Sequence, residues 1–206
     1  AYHNLDIESE LVDTMAEFIA IDIDQEILKD LLIGAKAGVF FWSRKPGKFV
    51  NRTTGADLTG NGANLPDFTG NVSEWYQTLL ETVNDLSAEI HRKTLLGGAT
   101  FLVTSPEVAS ILEFTGGLRA SIAVDDQKGT AGGELVGTLS KKWDVYVSPY
   151  MHRNAILIGR KGKNFLDSGF VYSPYVPLQF SNTIFHPDTG VPRKILRTRY
   201  GKKMVK

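Results

Sequence analysis

Apolar residues recur at three- and four-residue steps near the start of the chain: Leu11, Met15, Phe18, Ile19, Ile23, Ile27, Leu31 and Leu32, with Asp13, Glu17 and Asp24 falling elsewhere. That period predicts a helix from about Asp6 to Leu32, and neither Gly nor Pro interrupts it before Gly34. At about 1.5 Å per residue it is roughly 40 Å long, far above the dozen or so residues usual in a globular domain. Its acid-rich first turns suit the positive end of the helix macrodipole. A second stripe, Trp75, Leu79, Val83, Leu86 and Ile90, predicts a helix opened by Asn71 or Ser73 and ended by Gly97-Gly98. ATFLVT (Ala99 to Thr104) then reads as a short buried strand. TSPEVASIL restarts a helix, with Thr104 and Glu107 as a capping box and Pro106 in the first turn.

Between these elements the pattern breaks down. Ala37 to Gly70 is rich in Gly, Asn, Thr and Pro and reads as an irregular surface loop that touches something else. Glu113 to Gly133, containing LRASIAVDDQKGTAGG, reads as a flexible loop. Strands follow it: ELVGTL, WDVYVSP, NAILIGRKG, FVYSPYVPLQF and KILRTRY. Helices first and strands afterwards make the fold class α+β, with helices segregated from a mostly antiparallel sheet.

FVYSPYVPLQF (Phe170 to Phe180) is unusual. At period two Phe170, Tyr172, Val176, Leu178 and Phe180 share one face, as in a buried strand. Pro174 and Pro177 sit inside it and cannot donate to a ladder. Their odd separation directs the two missing N–H groups toward opposite edges, so the stretch is not an ordinary central strand.

Composition narrows the function. With 42% hydrophobic and 10% aromatic residues, the 206-residue chain builds a real core. It has no apolar run long enough for a membrane span. The opening AYHNLDIESELVD has neither the basic region nor the apolar core of a signal peptide, and the missing initiator Met points to a processed chain or a fragment. Zero cysteines remove disulfides, thiolate metal sites and cysteine nucleophiles together. The net charge is zero but unevenly spread: acids dominate from Asp6 to Asp30, opposed by Lys29, and bases alone occupy Arg193 to Lys206. Two solvated faces would explain this. The alternative is that the basic segment of one copy meets the acidic helix of another, since opposite patches steer association and set its register.

Catalytic patterns are missing. His3, His91, His152 and His186 are scattered, and none lies in an HExxH motif. No Ser stands in GxSxG, and GNGAN and TGGLRAS match neither the dinucleotide fingerprint nor the P-loop. Asp125-Asp126 reads as a solvated pair. GRKGK (Gly159 to Lys163) is a candidate phosphate-binding turn, although a basic β-turn explains it as well. The charge lacks the interleaved aromatics of a nucleic-acid module. No catalytic, cofactor-binding or metal site is expected.

Several stretches together carry a family resemblance. NLDIESELVDTMAEFIAIDIDQEIL, WYQTLLETVNDLSAEIHRKTLLGGATFLVTSPEVASIL, GTLSKKWDVYVSPY, ILIGRKG, SGFVYSPYVPLQF and RKILRTRYGKKM resemble, in the same order, the major capsid protein of T-even-type tailed bacteriophages. The resemblance covers nearly the whole chain, and SGFVYSPYVPL is its most specific piece. It implies the Hong Kong 97-type capsid fold, with a long spine helix in a peripheral domain, an axial domain, an N-terminal arm and an extended loop. Residues 1–36 would hold the spine helix, 37–70 an irregular connection, 71–168 the axial domain and 169–206 the return to the peripheral domain. The loop around 113–133 would lie nearest the capsomer axis. Family members are longer, so Ala1 is expected to be a fragment boundary.

The implied role is structural: self-assembly into an icosahedral or prolate head around packaged DNA, in the virion, after assembly in the bacterial host cytoplasm. Implied partners are copies of itself in hexameric and pentameric capsomers, vertex and portal proteins, decoration proteins, and DNA bound without sequence specificity. The expected interface residues are Asp13, Glu17 and Asp24, then Arg193, Arg197 and Arg199, with Tyr172 and Tyr175 as aromatic contacts. A pentameric vertex paralogue and an encapsulin-type shell protein share these features. A small α+β enzyme binding an anion at GRKGK is the reading from a different class.

Overall fold

The periodicity at the start of the chain produces α1, Ile7–Gly34. The computed structural model describes residues 7–35, 38–59, 67–120 and 134–205. Asp6, His3, residues 60–64 (GNGAN), Asp125-Asp126 and residues 121–133 of the expected flexible loop lie outside these. α1 is less one-sided than a simple stripe implies. Each four-residue step overshoots a full turn by about 40°, so the apolar residues wind around the helix. Ile21 is buried, whereas Leu11, Met15, Phe18, Leu32 and Ile33 are exposed.

The chain divides into two units, residues 32–161 and residues 1–31 with 162–206. The first contains α2 (Val72–Thr94), α3 (Pro106–Phe114) and five strands: β1 (Phe101–Thr104), β2 (Leu118–Ala120), β3 (Glu134–Leu139), β4 (Trp143–Val147) and β5 (Ile156–Gly159). Sheet order is β2-β3-β4-β1-β5, parallel only between β1 and β4. This is α+β, as the element order predicts. Leu102, Val103 and Thr104 of β1 are all buried, as a strand with neighbours on both edges and layers on both faces requires. Around Leu102 pack Leu79, Val83 and Ile90 of α2, Val108, Ile111 and Leu112 of α3, and Leu139, Trp143 and Val145.

Three local expectations are corrected. Thr104 does not cap α3. It is the last ladder residue of β1, paired with Val147 and Ile156 and fully buried. Ser105 is the N-cap position, Pro106 opens the helix, and the Ser105 hydroxyl donates to Arg153 O at 2.7 Å. α2 ends before Gly97-Gly98, with Leu95 in the left-handed conformation (φ 58) and its N–H donating to His91 O. Gly98 instead lets the chain pass Ser87: a Cβ there would sit 2.7 Å from Ser87 Oγ, which accepts the N–H of Ala99. The expected loop from Glu113 is also narrower, since α3 runs to Phe114 and β2 follows at Leu118.

The start of α2 matches expectation: the Asn71 N–H donates to Glu74 Oε2 at 2.8 Å. The irregular segment before it is tied down within the chain. Trp42 Nε1 donates to Thr78 Oγ1 and Trp75 Nε1 to Ser43 O, both at 2.8 Å. Arg52 pairs with Glu81 at 3.2 Å and also with Asp85. What that loop touches is therefore α2, along the side that carries Trp75, Thr78, Glu81 and Asp85.

The second unit joins α1, through Leu31, to β6 (Phe170–Phe180), β7 (Ile184–Phe185), β8 (Pro192–Arg193) and β9 (Leu196–Met204). β6 and β9 form a two-stranded antiparallel ribbon, and β7 pairs with β8. The β6–β9 ladder slips twice, between Pro174 and Val176 and between Val176 and Gln179. Each slip places one extra β6 residue at a proline, where no N–H is available. The slips also break the period-two face expected of β6. Phe170, Val176 and Leu178 are half-buried, but Tyr172 and Phe180 are exposed.

Candidate intersubunit surface

β9 alternates cleanly. Leu196, Thr198, Tyr200, Lys202 and Met204 are half-buried, while Arg197, Arg199, Gly201 and Lys203 are exposed, the period of a strand with one covered face. The covered face turns to α1. Lys202 Nζ lies 2.7 Å from Glu26 Oε1 and 2.6 Å from Asp30 Oδ2, and the Tyr200 hydroxyl donates to Glu26 Oε2. Glu26 and Asp30 are four residues apart and so share one side of the helix. The Tyr172 ring lies 5.3 Å from that of Tyr200, closing the β6 side of the cluster.

The electrostatics follow from these contacts. Hydrogen bonds from Lys202 and Tyr200 hold the Glu26 carboxyl below the usual range. Partial desolvation pulls the Lys202 ammonium down, but its bonds to Asp30 and Glu26 outweigh that and hold it above the usual lysine value. The Glu26 carboxylate pushes the Tyr200 hydroxyl up.

This cluster revises the charge reading. Part of the complementarity between the acidic helix and the basic end operates within one chain, through Glu26, Asp30, Tyr200 and Lys202, none of which had been singled out. The alternation in LRTRYGKKM was the available signal, because it separates Lys202 from Arg197 and Arg199. Arg197 and Arg199 lie on the opposite β9 face, exposed, and Arg193 is exposed in β8. Asp13, Glu17 and Asp24 are exposed too. At about 100° per residue they fall on the side of α1 away from Glu26 and Asp30. Tyr175 stands 66% exposed at the first slip of the β6 ladder, more open than Tyr172. The structure thus brings none of the six expected charged residues together within one chain.

GRKGK is not a β-turn. Gly159 ends β5, and the chain continues through irregular residues with a bend at Lys163 and Asn164 into the 3-10 turn Phe165–Asp167. The Lys161 N–H donates to Thr100 Oγ1 at 2.7 Å, which spends a backbone donor that an anion site would need. Among the described residues no group of three His, Asp or Glu side chains is placed to hold a metal ion. No described helix is long and apolar enough to cross a membrane.

Comparison with known proteins gives the same family along the whole chain. The model of the family described as major capsid protein Gp23 matches residues 1–206. The major capsid protein of Vibrio phage KVP40 is 28% identical over 210 residues, covering 98% of this chain and 39% of that protein. That of Enterobacteria phage T4 is 28% identical over 221 residues, with 98% and 38% covered. That of Serratia phage KSP90 is 30% identical over 208 residues, with 98% and 43% covered. The chain therefore spans well under half the length of these curated relatives. It belongs to the major capsid protein Gp23 family.

Proposed function

We propose that this chain is the shell-forming part of a major capsid subunit, a virion component that assembles with copies of itself around packaged DNA and performs no catalysis. The observation that carries this reading is the family match from residue 1 to residue 206. The surface supports it. Large apolar residues at many positions around a helix favour cover by other elements, yet Leu11, Met15 and Phe18 of α1 are exposed in the single chain. β6 presents Tyr175 and Phe180 on an open ribbon, and Ile184, Phe185 and Val191 are exposed nearby in sequence. Aromatic and large apolar residues of this kind enrich interface cores.

In the Hong Kong 97-type arrangement, α1 is the spine helix of the peripheral domain, residues 71–168 form the axial domain, and residues 169–206 return to the peripheral domain. Asp13, Glu17 and Asp24 of one copy face Arg193, Arg197 and Arg199 of another, with Tyr172 and Tyr175 as aromatic contacts. Vertex and portal proteins, decoration proteins and the packaged DNA complete the set of partners. The test is cryo-electron microscopy of particles carrying the full-length protein, with copies counted in the density. Occupancy of hexameric positions supports the proposal. Occupancy of vertices alone would make the chain a pentamer-forming paralogue, DNA-free shells without a portal would favour the encapsulin-type reading, and failure to form particles would remove the shell role.

A further inference from the structure

A cavity of about 500 Å³ opens within the 32–161 unit. Its lining is mostly apolar, formed by Leu79, Val83 and Leu86 of α2, Val108 and Ile111 of α3, Ile156 and Ile158 of β5, and Phe40 and Trp42. Leu79, Val83, Val108 and Ile111 are buried core residues, so the space reaches from the surface into the core layer. Protein interiors are otherwise packed to crystal-like density. At its edge stand Arg44 and Asn154, both exposed. Arg44 forms no ion pair among the described residues, although the neighbouring loop commits Lys48 to Asp57 and Arg52 to Glu81.

We propose that this cavity is a binding site for a small amphipathic organic anion, with an aromatic or aliphatic body against the α2, α3 and β5 side chains and a carboxylate or sulfonate at Arg44. The volume falls within the roughly 300–1,000 Å³ range of small-molecule sites, which are characteristically apolar with a few converging polar groups. A guanidinium offers the fork geometry that grips such an anion. Asn154 supplies a second donor at the same edge, and the Thr82 hydroxyl supplies polarity inside, its own proton already donated to Thr78 O. Trp42, fixed by its bond to Thr78, and Phe40 supply the flat surfaces that favour a ring.

The test uses soluble, unassembled protein titrated with anilinonaphthalene sulfonate by calorimetry and fluorescence. The wild-type chain takes up one dye molecule in a saturable step, and decanoate displaces it better than decanol does. Leu86→Trp fills the half-buried wall and abolishes that step. Arg44→Glu, on an exposed side chain, weakens it about tenfold, the loss expected of one charge-assisted hydrogen bond, with the melting temperature unchanged. Equal uptake by the wild type and Arg44→Glu, or no saturable step at all, would overturn the proposal. Uptake by free subunits that disappears on assembly would also overturn it, because a neighbouring copy's side chain would then be the occupant.

Discussion

Lys202 occupies a position where one cation satisfies two carboxylates, Glu26 and Asp30, and Tyr200 adds a hydrogen bond to the first. Glu26 titrates below its usual range, so its contribution is full above the ordinary carboxylate pKa and is lost as pH falls through the depressed value. Lys202 and Tyr200 are raised, so theirs are full below their ordinary values and are lost as pH rises through the raised ones. The contact between α1 and β9 is therefore strongest between those limits. Glu26→Gln should lower the melting temperature by a constant amount across neutral pH, and the difference should vanish at acid pH. A difference that persists below the carboxylate range would show that Glu26 acts through packing and not through charge. Gly159 presents a steric case. It faces Phe101 across the β1–β5 ladder, and a Cβ there would sit 2.3 Å from the ring. Gly159→Val should cost about 1–3 kcal/mol as an overpacked site, measured by denaturant unfolding, and Phe101→Ala in the same chain should recover part of it. No recovery would place the strain elsewhere.

At the scale of elements, β6 shows a long aromatic strand whose pairing is interrupted at two prolines. Its ladder with β9 breaks into short pieces around Pro174 and Pro177, and unpaired edges otherwise template aggregation. Pro177→Val restores an N–H at the second slip of the ladder. The expected outcome is lower soluble yield and misassembled shells, followed by the soluble fraction on expression and by electron microscopy. Normal shells at unchanged yield would show that the proline has no protective role. α1 illustrates the complementary problem. Its apolar residues wind around the helix, so a single ribbon cannot cover them, and Leu11, Met15 and Phe18 stay exposed in the single chain.

At the scale of the whole molecule, the two faces of β9 divide the basic charge by destination. The half-buried face holds Lys202 against its own α1, and the exposed face leaves Arg197 and Arg199 open, the residues proposed above to meet another copy. Reversing both, Arg197→Glu with Arg199→Glu, should impair assembly while leaving the melting temperature of the free subunit nearly unchanged. Assembly of the wild type should weaken with added salt, because exposed charges are screened over a Debye length of about 10 Å at 0.1 M. An equal loss of folded monomer would place these residues in an intrachain network instead.

The sequence by itself determined the elements whose cause is local. α1 and α2 follow from apolar period, the start of α2 from the capping residues at Asn71 or Ser73, and the interrupted ladder of β6 from two prolines that lack N–H groups. The family was legible too, because it rests on many ordinary residues in order. Tertiary structure alone decided what depends on distant partners. Thr104 could not cap a helix because β4 and β5 claim it for the sheet. Gly98 served a close approach to Ser87 and not a helix end. Tyr200 reached Glu26 across 174 residues, a pairing that no local pattern carries. The reason is physical: propensities and caps act over a few residues, whereas burial and ion pairing depend on which face each element turns to another.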